Sequence, residues 1–359
     1  MTIPGPLSAE IVAVLSALLI PALLVEPARR LALRYDLIDR PARHRAFARR
    51  RLVPYLGGAV VVAGTMLPAL AITGRLDMRL TTLLAAAATI SLLGFIRDLR
   101  RVRLPIGPAM HATMAFAVVI GGVRLRLIEI EWLDLVFTIL WVIAVANAFK
   151  LLDSTDGVLP TVACATAVPL AASAFVTDQT EMALLLLCLA AACAGFLLHN
   201  APPARIAMGE SGAMFTGFFI AASAATIHSG HDPFVGLPIL MLITSVAAVD
   251  AVVVTVARHG WAWAEESLSQ LNVGFGLGPN VLLVLLLLTT AGSGLLAVLV
   301  AGGVLPAVST VIGALLVGLT LIILLLQKPA PPPPPRLPRI AERHVVPPAR
   351  SLVKEGAQR

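Results

Sequence analysis

Hydrophobic residues follow one another in long runs that short polar segments separate. Runs of about 17–25 apolar residues are long enough to cross a bilayer as an α-helix. The pattern therefore predicts an all-α polytopic membrane protein with about eleven transmembrane helices. The predicted segments lie near residues 8–28, 55–74, 80–96, 105–123, 133–150, 157–177, 182–199, 211–229, 234–257, 280–303 and 306–327.

The composition agrees with a membrane protein. Of the 359 residues, 58% are hydrophobic and 13% are charged, whereas a soluble domain carries about 25% charged residues. The three cysteines, Cys164, Cys188 and Cys193, lie within apolar segments and lack the spacing of a disulfide framework or a metal site. We expect them to be packing residues.

The distribution of positive charge predicts the orientation of the chain. Of the 27 Lys and Arg residues, 23 fall in alternate connecting segments and in the C-terminal tail, which are therefore predicted to be cytoplasmic. The N-terminus is then outside and the C-terminus is in the cytoplasm. The net charge of +7 follows from this bias and from attraction to anionic lipids, so it does not predict a nucleic-acid partner.

The composition changes abruptly after residue 327. Five consecutive prolines, Pro331 to Pro335, favour an extended polyproline II conformation and cannot form a packed core. We therefore predict two regions. Residues 1–327 form the transmembrane domain, and residues 328–359 form a disordered cytoplasmic tail rich in Pro and Arg.

Four acidic residues lie near predicted helix ends on the cytoplasmic side: Asp98, Asp153, Asp156 and Glu210. Carboxylate oxygens that converge at a membrane surface suit Mg²⁺, which commonly bridges to substrate phosphates. Interfacial acids also occur simply because they solvate helix ends. Four acids opposite many arginines favour a site for a phosphorylated substrate over that simpler interpretation.

The segment NAFKLLDSTDGVLP, residues 147–160, adds spacing to this pattern. A separation of three residues places Asn147, Lys150, Asp153 and Asp156 on one face if the helix continues. Glycine pairs at predicted helix starts, such as Gly57 and Gly58, let backbone N–H groups approach an anion, although small residues also pack transmembrane helices. Spacing alone thus predicts a metal-bound phosphate site that a lipid can reach.

The motifs DLIDRP, VPYLGG, GFIRDLR, NAFKLLDSTDG and NAPPARIAMGESGAMFTGF occur in this order between residues 30 and 260. They resemble the polyprenyl-phosphate N-acetylhexosamine-1-phosphate transferases of glycosyltransferase family 4. The resemblance implies that a sugar 1-phosphate passes from a UDP-sugar to a polyprenyl phosphate such as undecaprenyl phosphate. It also implies Mg²⁺ or Mn²⁺, release of UMP, and a role in cell-envelope polysaccharide synthesis at the cytoplasmic face of the plasma membrane. A homodimer is left open.

The resemblance also assigns roles to residues. It implies three catalytic carboxylates, two metal ligands of which one is also catalytic, and six substrate-binding residues. The catalytic residues are Asp98, Asp153 and Asp156, the metal ligands are Glu210 and Asp153, and the substrate-binding residues are Asn147, Lys150, Arg97, Gly57, Gly58 and Asn200.

Several positions depart from the family pattern. Arg97 stands where the family has the first acid of an Asp-Asp pair, Lys150 where it has Asn, and Glu210 where it has Asp, while residues 262–275 lack the family's histidines. One interpretation is a transferase with altered substrate or metal handling, and another is a catalytically impaired relative that binds or scaffolds. A third is a transporter that uses buried ionisable residues such as Asp250 or His111.

The predicted orientation can be tested by cysteine labelling in intact cells. Cysteines introduced at Ser154 and Ser267 should be protected from an impermeant thiol reagent, and a cysteine at Ser229 should react, because the first two lie in predicted cytoplasmic loops. Wild-type protein, with its three cysteines in apolar segments, is the control. Labelling at residue 154 from outside would contradict the orientation.

Overall fold

A computed structural model describes residues 6–39, 53–72, 77–100, 107–125, 130–153, 155–227, 239–248, 279–306 and 308–326. Helices dominate these ranges. They are α1 (Pro6–Arg34), α2 (Gly57–Ile72), α3 (Met78–Arg100), α4 (Gly107–Ile120), α5 (Glu131–Leu152), α6 (Val158–Val176), α7 (Thr180–Asn200), α8 (Gly209–Ile227), α9 (Pro279–Ala301) and α10 (Val308–Leu326).

A short antiparallel ladder is the non-helical element of the described chain. Strand β1 (Ile38–Asp39) pairs with β2 (Val53–Pro54), and Tyr55 forms an isolated bridge with Ala207. The all-α expectation holds for the rest of the described residues. The ladder matters for the site because it fixes the chain that enters α2.

The helices occur where the hydrophobic runs predicted them, since ten of the eleven predicted segments each overlap one of α1 to α10. The eleventh, 234–257, is described only at 239–248, where it is mostly helical. Within the described ranges, six helices are long and apolar enough to cross a membrane, and three shorter apolar helices accompany them. Eleven spans and their orientation stay predictions, and the tail, residues 328–359, lies outside the described residues.

Helix α8 lies at the centre of the bundle. It contacts α2, α3, α5 and α6, and every residue from Ser211 to Ile227 is buried. Its sequence contains Gly, Ala, Ser and Thr at many positions, which lets neighbouring helices approach closely. Because α8 is covered by protein, it can be less apolar than a helix that faces lipid.

The starts of α2 and α8 approach each other closely. A Cβ atom built on Gly58 would collide with the backbone nitrogen of Gly212 and would lie 2.8 Å from the carbonyl oxygen of Met208. Backbone atoms cannot move aside as a flexible side chain can. Glycine is therefore required at position 58 by packing.

Substituting Gly58 with alanine should destabilise the protein because the added methyl overpacks the α2–α8 contact, an effect of about 1–3 kcal/mol. Gly292→Ala on α9 is the matched control, since a Cβ there meets nothing within 4 Å. Thermal unfolding of purified protein in detergent should show a lower melting temperature for Gly58→Ala only. Equal melting temperatures for the two variants would show that the contact can relax.

Candidate functional site

Six helix ends meet at one end of the bundle, here named the site end. They are the C-terminal ends of α3, α5 and α7 and the N-terminal ends of α2, α6 and α8. Hydrogen bonds and close contacts join these ends through residues 57–58, 94–98, 150, 156–157, 200 and 204–212. Long apolar helices thus deliver charged residues to one polar surface.

The carboxylate of Asp98 caps α8. Its Oδ1 accepts the backbone N–H of Glu210 at 3.1 Å, and its Oδ2 accepts that of Ser211, also at 3.1 Å. These N–H groups belong to the first helical turn, which has no internal acceptors for them. The capped turn begins at Gly209, whose φ of +79° favours glycine.

Two further contacts hold the C-terminal half of α3, one with the start of α8 and one with the chain that enters α2. The hydroxyl groups of Ser91 and Ser211 lie 3.0 Å apart in a buried position. The Tyr55 hydroxyl donates to the backbone oxygen of Asp98 at 2.8 Å. The position of Asp98 is therefore fixed from two sides.

Glu210 pairs with two cations from two other helices. Its Oε2 lies 3.1 Å from Nε of Arg97 on α3, and its Oε1 lies 3.2 Å from Nζ of Lys150 on α5. The exposed fractions of the three side chains are 32% for Glu210, 11% for Arg97 and 27% for Lys150. We call this partly buried cluster the Arg97–Glu210–Lys150 triad.

Asp156 and Asn200 connect the α5–α6 turn to the segment after α7. Asp156 Oδ2 accepts the N–H of Ala204 at 3.0 Å. Asn200, which is 1% exposed, accepts the N–H of Gly157 at 2.9 Å and donates to the oxygen of Ile206 at 2.8 Å. The side chain of Asn200 is thus bonded to backbone on both sides, and substrate binding by it stays a prediction that would require these bonds to break.

The N–H groups of Gly57 and Gly58 have backbone partners. They donate to the carbonyl oxygens of Ala207 at 3.1 Å and Met208 at 2.7 Å. Both glycines are buried where α2 meets the chain entering α8. Substrate binding by this pair also stays a prediction, and the observed contacts give the glycines a packing role that spacing could not separate from anion binding.

Asn147 and Asp153, which the spacing placed on one face with Lys150, lie near the C-terminal end of α5. Asn147 donates to the carbonyl oxygen of Ile143 one turn back, at 2.7 Å. Asp153 forms the C-cap of α5, and its charge acts on Asp98 together with that of Glu210. The end of α5 therefore contacts Glu210 through Lys150, and it acts electrostatically on Asp98 through Asp153.

The observed carboxylates do not fit a divalent cation at Glu210. Both Glu210 oxygens face cations, and both Asp98 oxygens accept backbone N–H groups. Within the described ranges, no group of three His, Cys, Asp or Glu side chains is close enough to hold a metal ion. Ligation of Mg²⁺ or Mn²⁺ through Asp153 stays a prediction.

Some predicted features lie outside the described residues. These are the basic segment 41–51, the transporter candidate Asp250, and Arg258, His259 and the histidine-free segment 262–275. His111 is described, and it is buried within α4.

Sequence reasoning did not identify the residues that position the charged groups. Tyr55, Ser91, Gly209 and Ser211 hold the start of α8. Tyr55 and the Gly209–Ser211 segment lie inside quoted motifs, which was the available signal. Ser91 carries no such signal, since a single serine in an apolar helix has no distinctive pattern.

Residues 80–228 match glycosyl transferase family 4. The chain is 37% identical over 263 residues to a Streptomyces coelicolor protein named as a glycosyltransferase. This alignment covers 72% of this chain and 61% of the relative. It is 24% identical over 219 residues to a Bacillus subtilis protein named as an undecaprenyl-phosphate N-acetylglucosaminyl 1-phosphate transferase, which covers 58% of this chain and 61% of that protein.

A third relative is similar over a shorter segment. It is a phospho-N-acetylmuramoyl-pentapeptide-transferase of Desulforudis audaxviator, 37% identical over 112 residues, with 31% of this chain and 33% of the relative covered. The chain therefore spans 61% of the length of each of the first two relatives and a smaller share of the third. The family indicated by the motifs is confirmed.

Replacing Asp98 with alanine should destabilise the protein, because two part-buried N–H groups lose their acceptor at about 1–3 kcal/mol for an unsatisfied group. Asp77→Ala is the control, since Asp77 caps the exposed start of α3 through one bond to Leu80 and such a cap contributes about 1 kcal/mol. Thermal unfolding in detergent should rank Asp98→Ala below Asp77→Ala. The reverse ranking would show that the Asp98 cap is not required for stability.

Proposed function

We propose that this chain, whose residues 80–228 belong to glycosyl transferase family 4, transfers an N-acetylhexosamine-type sugar 1-phosphate from a UDP-sugar to a polyprenyl phosphate. The observation that carries the proposal is the site end itself. Three helices of a membrane bundle bring Arg97, Lys150 and several carboxylates to one polar surface. The names of the relatives support the class of reaction, and the substrates are part of the proposal.

The proposed reaction is a phosphoryl transfer. An oxygen of the lipid phosphate attacks the phosphorus that carries the sugar, and a new P–O bond forms. The P–O bond to UMP breaks, and UMP leaves with the electron pair. The lipid then carries the sugar through a pyrophosphate. No proton has to be removed from the nucleophile, because the second pKa of a phosphate monoester is near 6.

The main barrier that the chain must lower is electrostatic. Two anionic substrates have to approach each other, and phosphoryl transfer depends mostly on positioning and charge stabilisation. Arg97 and Lys150 are the described cations at the site end that pair with Glu210. An ammonium carries three N–H donors, so the Glu210 carboxylate alone does not saturate Lys150. We assign both to phosphate binding.

The carboxylates act chiefly through position in this proposal. Asp98 holds the first turn of α8, and with it the backbone of Glu210. Asp156 holds the segment after α7 through Ala204. Any direct catalytic role of Asp98, Asp153 or Asp156 is a further part of the proposal.

The membrane setting suits a lipid acceptor. Helices such as α1 and α9 expose large apolar side chains, among them Leu23 and Leu288, which is what a surface in contact with lipid requires. A polyprenyl chain can remain among these side chains while its phosphate reaches the site end. The soluble nucleotide sugar would approach from the aqueous side, which the charge bias predicts to be the cytoplasm of the cell.

The Arg97–Glu210–Lys150 triad also favours a second candidate function. The two cations that pair with Glu210 would then hold a lipid phosphate or a nucleotide without turnover. The chain would then be a catalytically impaired relative that binds substrates or scaffolds partners. Product formation distinguishes the two functions, because both include binding.

The transferase proposal is tested in membranes that contain the protein, radiolabelled UDP-N-acetylglucosamine and undecaprenyl phosphate. Wild type should form lipid-linked sugar phosphate and UMP in equal amounts. Arg97→Ala should lower the rate by about 10²-fold, the loss typical when one transition-state donor is removed. Arg79→Ala, at the opposite end of the same helix α3, is the matched control and should retain activity.

Three outcomes separate the candidates. Binding of UDP without product, across several UDP-sugars, would favour the impaired relative. An unchanged rate in Arg97→Ala would contradict the assigned role of this residue. Activity in Arg97→Lys between that of wild type and Arg97→Ala would show that positive charge matters as well as guanidinium geometry.

A further inference from the structure

We infer that Arg97 and Lys150 are built-in counter-charges of Glu210 and stand in place of a divalent cation at that carboxylate. The inference rests on the geometry of the triad. It deepens the proposed function by predicting that phosphate binding at the site end does not depend on a metal ion held by Glu210.

The first argument is the position of the charges. Each oxygen of Glu210 faces a different cation, at 3.1 Å for Arg97 and 3.2 Å for Lys150. A divalent ion bound to either oxygen would displace one cation and would lie beside the other. Arg97 is only 11% exposed, so water screens the resulting repulsion poorly.

The second argument concerns the other possible metal ligands among the described residues. Mg²⁺ requires several hard oxygen donors in near-octahedral geometry. Both oxygens of Asp98 accept N–H groups of α8. Among the described residues, no three His, Cys, Asp or Glu side chains lie close enough together to hold a metal ion. Water or substrate would have to supply most of the other ligands of an ion bound to Glu210.

The third argument is charge arithmetic. Relative to the pattern that the motifs resemble, Arg97 replaces an acid and so adds two unit charges, and Lys150 replaces Asn and adds one. Glu210 replaces Asp and leaves the charge unchanged. The chain therefore carries more added positive charge at this place than one Mg²⁺ would bring. The three departures form one connected structural feature rather than three separate losses.

Glu210 has a distinct role in this arrangement. Without it, the positive charges of Arg97 and Lys150 would have no shared counter-charge at the start of α8. Its side chain is one methylene longer than that of Asp, which helps it to reach both cations from the start of α8. We therefore assign Glu210 as a positioning residue for two phosphate-binding cations.

The test uses purified full-length protein in detergent, with Mn²⁺ as a paramagnetic probe. Binding of Mn²⁺ is measured as the loss of the paramagnetic resonance signal of the free ion. Wild type and Glu210→Gln should give the same Mn²⁺ isotherm. The double variant Arg97→Asp, Lys150→Asn should bind Mn²⁺ at least tenfold more tightly than wild type. The triple variant that also carries Glu210→Gln should lose this gain. Arg79→Asp, at the other end of α3, should gain no site.

A second measurement uses wild type alone. Binding of UDP should change less than twofold between excess Mg²⁺ and excess chelator. Loss of Mn²⁺ binding in Glu210→Gln, a tenfold loss of UDP binding in chelator, or a folded double variant that gains no Mn²⁺ site would each overturn the inference. If UDP does not bind in either condition, the proposed function fails, while the Mn²⁺ titration of wild type and Glu210→Gln still decides the inference. If the double variant does not fold, the Mn²⁺ titration of wild type and Glu210→Gln still tests the inference.

Discussion

The ion pairs of Glu210 determine how the site end is arranged. One carboxylate at the start of α8 holds a guanidinium from α3 and an ammonium from α5. Three charges with a net of one positive charge can remain partly buried, whereas two unpaired cations could not, because dehydration of an unpaired charge is costly. The positions of three helix ends, and the positive character of the surface that they form, therefore depend on the Glu210 side chain.

This arrangement requires α8 to be rigid and central. The first turn of α8 is capped by Asp98, and its beginning is packed against Gly58 at a distance that only glycine allows. Because α8 is buried along its length, the neighbouring helices pack against it and are positioned by it. A helix that faced lipid could rotate or tilt more easily, and an acid in its first turn would then be less fixed between two cations from separate helices.

Much of the fold follows from the sequence because the membrane imposes a simple rule. Apolar runs long enough to span a bilayer must be helical, since the backbone finds no water there. The charged residues at the ends of those runs, such as Arg97, Lys150 and Glu210, were consequently identified as one surface. Their pairing could not be predicted, because spacing within α5 carries no information on a partner 60 residues away on α8. The same limit applies to Asn200, whose two backbone bonds depend on how the chain folds after α7.

The functional interpretation depends on whether the departures from the family pattern are independent. If Arg97, Lys150 and Glu210 had changed without constraint, no reason exists for the two new cations to face the two oxygens of the altered acid. The observed contacts join both new cations to the altered acid. Such an arrangement is typical of a site that still has to hold charge in a defined place. A phosphate group is the ligand that two fixed cations at a membrane surface suit best.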